Sequence, residues 1–152
     1  GWSRSNPLRL PDAALSWTHN GGCLVTSQLQ MVLILLGLLQ VKHLFADFFF
    51  QTQRMLGNRG CYLHFGRLQH AGLHGGLSWI ALLVMRVPMG VALVICLVET
   101  LVHFHIDWAK GRHAAATGQG PEQAAFWRAF GVDQLMHQLT YVVMLLAVVV
   151  WA

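Results

Sequence analysis

Charged residues are scarce in this chain of 152 residues, at 11% of the total. A soluble domain usually has about a quarter of its residues charged. Hydrophobic residues make up 55%, and the mean hydropathy is +0.50. This composition argues against an ordinary soluble domain and indicates an integral membrane protein, with enough residues for one domain.

Cysteine motifs are also missing from the sequence. The three cysteines, Cys23, Cys61 and Cys96, show no Cys-x-x-Cys spacing, which argues against a disulfide framework and a thiolate zinc site. The sequence has no glycine-rich phosphate loop and no Ser/His/Asp triad pattern. Lys and Arg lie mostly between apolar runs, so we interpret them as topology signals and expect no nucleic-acid partner.

Four apolar segments predict helices at about 32–50, 69–87 and 89–110, with a fourth from about 121 to 151. We therefore predict an all-α fold: a four-helix transmembrane bundle of up-down-up-down order over residues 31–152. Residues 1–30 are more polar and contain the Asn20-Gly21-Gly22 break. We expect them to form an N-terminal extension of uncertain status, with Met31 as the natural start.

Basic residues predict the orientation in the membrane. Most of them fall in or beside the two long predicted loops, 52–68 and 111–125: Arg54, Arg59, Arg67, Lys110, Arg112 and Arg128. The opposite side has Arg86, together with Arg4 and Arg9 of the extension. The positive-inside rule therefore places the long loops in the cytoplasm and both termini outside.

Each predicted helix carries two polar residues spaced four apart. On an α-helix this spacing places both side chains on one face. The pairs are His43 with Asp47, His70 with His74, His103 with Asp107, and Asp133 with His137. In an up-down-up-down bundle all four pairs lie at the same end, in the inner part of the hydrocarbon core.

These eight residues offer five imidazoles and three carboxylates, a donor set that predicts a site for one or two divalent metal ions. The mixture of nitrogen and oxygen suits Zn, Fe or Mn. Glu99 is the candidate base for a metal-bound water, and Gln51, Lys110 and Gln134 are candidates for orienting the imidazoles. Two other interpretations remain open: polar contacts that only fix helix pairing, and a proton or ion pathway.

Other residues receive structural interpretations. Lys42 is expected to snorkel or pack without a chemical role, and His105 to point away from His103. His113 is expected in a solvated loop. Gly72 and Gly76 form a small-xxx-small pair that would let a neighbouring helix approach closely.

The ordered motifs resemble domain-of-unknown-function family 3307, a family of bacterial membrane proteins. They are His43-x-x-x-Asp47-x-x-x-Gln51, His70-x-x-x-His74, His103-x-x-x-Asp107-x-x-Lys110 and Asp133-Gln134-x-x-His137. The resemblance covers about residues 31–152. It implies a small bacterial inner-membrane protein and no known activity.

The predicted function is a metal-dependent membrane hydrolase with its metal near the cytoplasmic side. Its substrate would be lipid-linked or close to the membrane, by analogy with multi-pass metal-dependent hydrolases that carry His and Asp at helix ends. A metal-ion or proton transporter and a structural membrane subunit are the alternatives. Membrane lipid is the expected partner.

Overall fold

The computed structural model describes residues 12–57 and 61–151, with side chains from residue 27 onward. The helices are α1 (Asp12–Leu44), α2 (Gln53–Leu56), α3 (Phe65–Val84), α4 (Met89–Thr117) and α5 (Ala124–Trp151). A π-helical turn, Phe45–Phe49, continues α1. No strand occurs in these described ranges, which confirms the predicted all-α class.

Helix α1 is longer than predicted. It begins at Asp12 and passes through Asn20-Gly21-Gly22 without interruption. A glycine in a helix costs about 1 kcal/mol relative to alanine, which weakens a helix without necessarily ending it. The break predicted at residues 20–22 is therefore wrong. Residues 12–30 of the predicted extension form the first part of α1. Residues 1–11 of that extension lie outside the described residues.

Helix α4 also exceeds its predicted end at Lys110 and continues to Thr117. Residues 114–116 are alanines, the strongest helix formers. Gly118 then ends the helix in the left-handed conformation, with φ of 61°, and its N–H donates to the carbonyl of Ala114 at 3.0 Å. His113, predicted in a loop, is consequently a helical residue.

The four long helices pack against one another as neighbours. Helix α4 packs on α3 and α5, and α1 packs on the same two helices. Buried apolar side chains from these helices form a hydrophobic core. The cluster includes Leu35 and Leu39 of α1, Leu82 of α3, Ile95 of α4, and Met144, Leu145 and Val148 of α5.

The outward surfaces of these helices are apolar. Large exposed hydrophobic side chains include Ile34, Val84, Leu97, Val132 and Val143. Three segments are long and apolar enough to cross a membrane: Ser27–Phe49, Met89–Thr117 and Ala124–Trp151. A soluble protein would not expose so much apolar surface, so these segments agree with the predicted membrane protein.

The close approach between α3 and α4 occurs at Gly75. A Cβ atom added there would collide with Oγ1 of Thr100, whose hydroxyl donates to the carbonyl of Cys96 at 2.8 Å. Cβ atoms added at Gly72 or Gly76 would meet nothing within 4 Å. The small-xxx-small interpretation of Gly72 and Gly76 is therefore wrong. The spacing matched the motif, but the face of α3 toward α4 is the one that holds Gly75.

This contact predicts that Gly75→Ala destabilises the protein by about 1–3 kcal/mol, the usual cost of overpacking. Gly72→Ala and Gly76→Ala are the matched controls and should not lower stability. Thr100→Ala added to Gly75→Ala should restore most of the loss, because it removes the colliding oxygen. Thermal unfolding in detergent measures all four variants. Equal stability of Gly75→Ala and Gly72→Ala would contradict the assigned contact.

Candidate metal centre

The end of α1 places the first carboxylate. At Phe45–Phe49 the chain takes a π-helical turn, a local widening that often occurs at functional sites. Asp47 lies in this turn, four residues after His43, and its Oδ2 is 3.4 Å from Nε2 of His43. The turn therefore directs Asp47 from α1 toward α3.

Asp47 meets two histidines of α3. Its Oδ1 is 2.9 Å from Nε2 of His74 and 3.2 Å from Nε2 of His70. The ring of His103 in α4 lies against that of His74, with 3.8 Å between centroids and an interplanar angle of 31°. Asp47, His70, His74 and His103 each offer one ligand atom within 4.8 Å of the others. Three imidazoles and one carboxylate from three elements thus form one group that could hold a metal ion.

A second group overlaps the first at His103 and consists of His103, Asp107 and His137. Oδ2 of Asp107 lies 3.4 Å from Nε2 of His103, and its Oδ1 lies 3.5 Å from Nε2 of His137 in α5. His70 connects the groups as well, because its Nε2 is 3.7 Å from Oδ2 of Asp107. The two groups are therefore parts of one cluster of imidazoles and carboxylates.

His103 is the residue common to both groups, and its side chain is buried, with 2% relative exposure. Oδ2 of Asp107 approaches its Nε2 to 3.4 Å, but no hydrogen bond of normal geometry reaches that atom in the described part of the chain. Buried polar nitrogens in proteins nearly always have a partner. A bound cation would supply one for His103.

Two of the eight predicted ligands lie beside the groups and belong to neither. His43 has partners at both nitrogens: Nδ1 lies 2.9 Å from the hydroxyl of Tyr141, and Nε2 lies 3.1 Å from Oε1 of Gln134. Asp133 accepts a hydrogen bond from Lys110 at 2.6 Å, and its other oxygen is 3.7 Å from Nε2 of His137. The structure thus brings six predicted ligands into the groups and places these two around them.

Lys42 and Glu99 form a buried ion pair next to the cluster. The ammonium of Lys42 also lies 3.3 Å from Nδ1 of His74 and 3.4 Å from its carbonyl oxygen. Of the two placements predicted for Lys42, the structure shows packing and not snorkelling: the side chain is buried because Glu99 requires a cation in apolar surroundings. Glu99 reaches the cluster through Lys42 and His74.

A cavity of about 210 Å³ leads to the cluster, and we call it the vestibule. Asp47, His70, Asp107 and Asp133 contribute to its wall, together with the cations Arg67 and Lys110. Gln51, a predicted orienting residue, also lines it. The vestibule therefore exposes the carboxylates of both groups to a small molecule.

The family described as "Protein of unknown function (DUF3307)" matches residues 34–152. The chain belongs to this family. The match confirms the resemblance found in the motifs, and it contains all residues of the two ligand groups. No curated protein and no solved structure matches the chain.

Two residues around the cluster of this DUF3307 chain were not predicted to take part: Lys42 and Tyr141. Helical spacing could have found both. Lys42 follows the buried Leu35 and Leu39 by seven and three residues, which is the spacing of one helix face. Tyr141 follows His137 by four residues and so extends the polar face of α5.

The ion pair in this DUF3307 chain predicts that Glu99→Gln lowers stability by about 3–5 kcal/mol, because it leaves the Lys42 ammonium buried without a carboxylate. The double variant Lys42→Met with Glu99→Leu should recover most of that loss, since it removes both charges. Glu122→Gln, at an exposed acid, is the control. Unfolding followed by circular dichroism in detergent gives the comparison. A single variant as stable as the parent would show that the pair does not stabilise the fold.

Proposed function

We propose that this protein spans the bacterial inner membrane as a four-helix bundle of up-down-up-down order, with its two long loops in the cytoplasm. Helices α1, α4 and α5 contain the three apolar segments described above. Helix α3 is the proposed fourth span. Its 20 residues measure about 30 Å, the thickness of a hydrocarbon core. It packs between α1 and α4 and exposes Ile80, Leu83 and Val84.

We further propose that the cluster holds one or two divalent ions. Two ligand atoms that bind one ion at about 2.1 Å lie at most about 4.2 Å apart. The ligand atoms of each group lie within 4.8 Å of one another, so side-chain shifts of about half an ångström would bring them to a shared ion. The imidazole and carboxylate donors suit Zn, Fe or Mn.

The proposed activity is metal-dependent hydrolysis of a lipid-linked or membrane-proximal substrate. The observation that carries it is that the vestibule opens onto the carboxylates of the cluster. Toward the other end of the bundle, an apolar cluster that includes Leu35, Leu82 and Ile95 packs among the helices. A pathway for ions needs polar groups through the whole membrane, so a polar pocket next to an apolar cluster favours an enzyme over a transporter.

The bound metal would supply an activated water for hydrolysis. Asp133 is the proposed proton acceptor: it lines the vestibule, stands outside both ligand groups, and has an Oδ1 atom without a hydrogen bond in the described residues. Glu99 was the candidate base, but its contact with the cluster runs through Lys42. We therefore propose that Glu99 positions His74 and does not contact the substrate.

Metal content tests the proposal directly. Protein extracted from membranes should contain one or two equivalents of a divalent transition metal, measured by elemental mass spectrometry. His103→Ala should lose most of it, because His103 belongs to both groups. His105→Ala, two residues later on an exposed face of α4, should retain the parental content. A parent protein without metal would defeat the proposed function.

Vesicles containing the protein distinguish hydrolase from transporter. With a zinc-sensitive dye inside, the hydrolase predicts no zinc or manganese entry above that of empty vesicles. The same preparation tests proton movement with a pH-sensitive dye. Ion entry that disappears in Asp107→Asn would favour transport and overturn the enzyme proposal.

A further inference from the structure

A long apolar groove runs along the outer face of α4 and α5, and we call it the α4–α5 groove. Its volume is about 690 Å³, and its apolar end is formed by Leu101, Val102 and Met136. Along α4 it extends from Leu101 to His113, about 18 Å at 1.5 Å per residue. One leaflet of a hydrocarbon core is about 15 Å deep. The groove therefore has the length of one leaflet.

The other end of the groove is polar and adjoins the vestibule. Lys110 and Asp133 line both cavities, so their ion pair stands where the groove and the vestibule meet. Ala109 and Ala129 are the small side chains near this end. An apolar channel that ends at polar groups matches an amphiphile, with its chain in the groove and its headgroup at the vestibule.

The exposure of the Lys110–Asp133 pair indicates the sign of the headgroup. The side chain of Lys110 is 28% exposed, whereas that of Asp133 is 3% exposed. The ammonium of Lys110 is therefore the more accessible member of the pair. Arg67 also lines the vestibule, but it is buried and its Nη1 donates to the carbonyls of Cys61 and Tyr62, so Lys110 is the cation that a headgroup would meet. The vestibule also contains three carboxylates, but the divalent ions proposed for the cluster would offset their charge, so an anionic group would fit this entrance better than a cationic one.

We propose that the substrate is a lipid with a phosphate headgroup, which enters along the α4–α5 groove. The chain occupies the groove between Leu101 and Ala109, and the phosphate lies at Lys110, next to the carboxylates of the cluster. Arg and Lys side chains are the usual partners of phosphate oxygens in proteins. This proposal rests on the proposed hydrolase function and adds the class of its substrate.

Photoaffinity labelling of the full chain in vesicles tests the inference. The probes are a phosphatidic acid with a photoreactive group in its acyl chain and the matching diacylglycerol, which lacks phosphate. Mass spectrometry should place phosphatidic acid on α4–α5 groove residues at least fivefold above the surface around Val143. The diacylglycerol should label the groove and that surface equally. Equal groove labelling by both probes would overturn the phosphate assignment.

Val132→Trp fills the groove from α5 and should reduce groove labelling to less than a quarter. Val143→Trp is the matched control: Val143 lies eleven residues later, about three turns along the same face, and the two side chains are equally exposed, at 62% and 63%. Ala109→Phe fills the groove from α4 and serves as the second variant if Val132→Trp does not fold. Unchanged labelling in a folded groove variant would overturn the proposal.

Lys110→Met should reduce phosphatidic acid labelling and leave diacylglycerol labelling unchanged, because it removes charge with little change in length. Excess inorganic phosphate should compete weakly, since it lacks the chain. Complete competition would assign the site to free phosphate and overturn the lipid proposal.

Metal content of the same samples separates the two proposals. Selective labelling of a metal-free parent would contradict the hydrolase and leave lipid binding supported. A metal-containing parent without selective labelling would contradict only the lipid assignment.

Discussion

Contacts between imidazoles and carboxylates from different helices organise this protein. Asp47, from the end of α1, meets two histidines of α3, and Asp107 of α4 meets His70 of α3 and His137 of α5. A charged group in apolar surroundings costs free energy unless a partner is in reach. Because each carboxylate requires partners on other helices, these contacts fix how far one helix can slide along the next.

The parts of the site that follow from helical periodicity could be predicted from the sequence. The four-residue spacings placed His70 with His74 and His103 with Asp107, and the structure brings these residues together. The spacing alone could not show which predicted ligands would instead form hydrogen bonds with residues outside the two ligand groups. His43 is occupied by Tyr141 and Gln134, and Asp133 by Lys110. Those contacts depend on how two helices are rotated relative to each other, which no pattern within one helix specifies.

The same reason explains the errors in the fold. Gly72, Gly75 and Gly76 lie on one helix, and only the orientation of α3 against α4 determines that Gly75 makes the close approach. The predicted end of α4 at Lys110 is too early. Gly111 and the charged residues near it indicate a loop, whereas the alanines that follow favour a helix, and the helix continues to Thr117. The helical class and the apolar segments were predictable, because both depend on composition over many residues and not on a single contact.

The buried ion pair of Lys42 and Glu99 affects how the protein can be inserted during its synthesis. The two residues are separated by 57 positions in the chain. At about 5–20 residues per second, a ribosome needs several seconds to make that interval. During this time the first span contains an ammonium whose carboxylate has not yet been synthesised. In the proposed membrane arrangement, the Lys42 ammonium therefore lowers the stability of α1 in the lipid until α4 supplies Glu99.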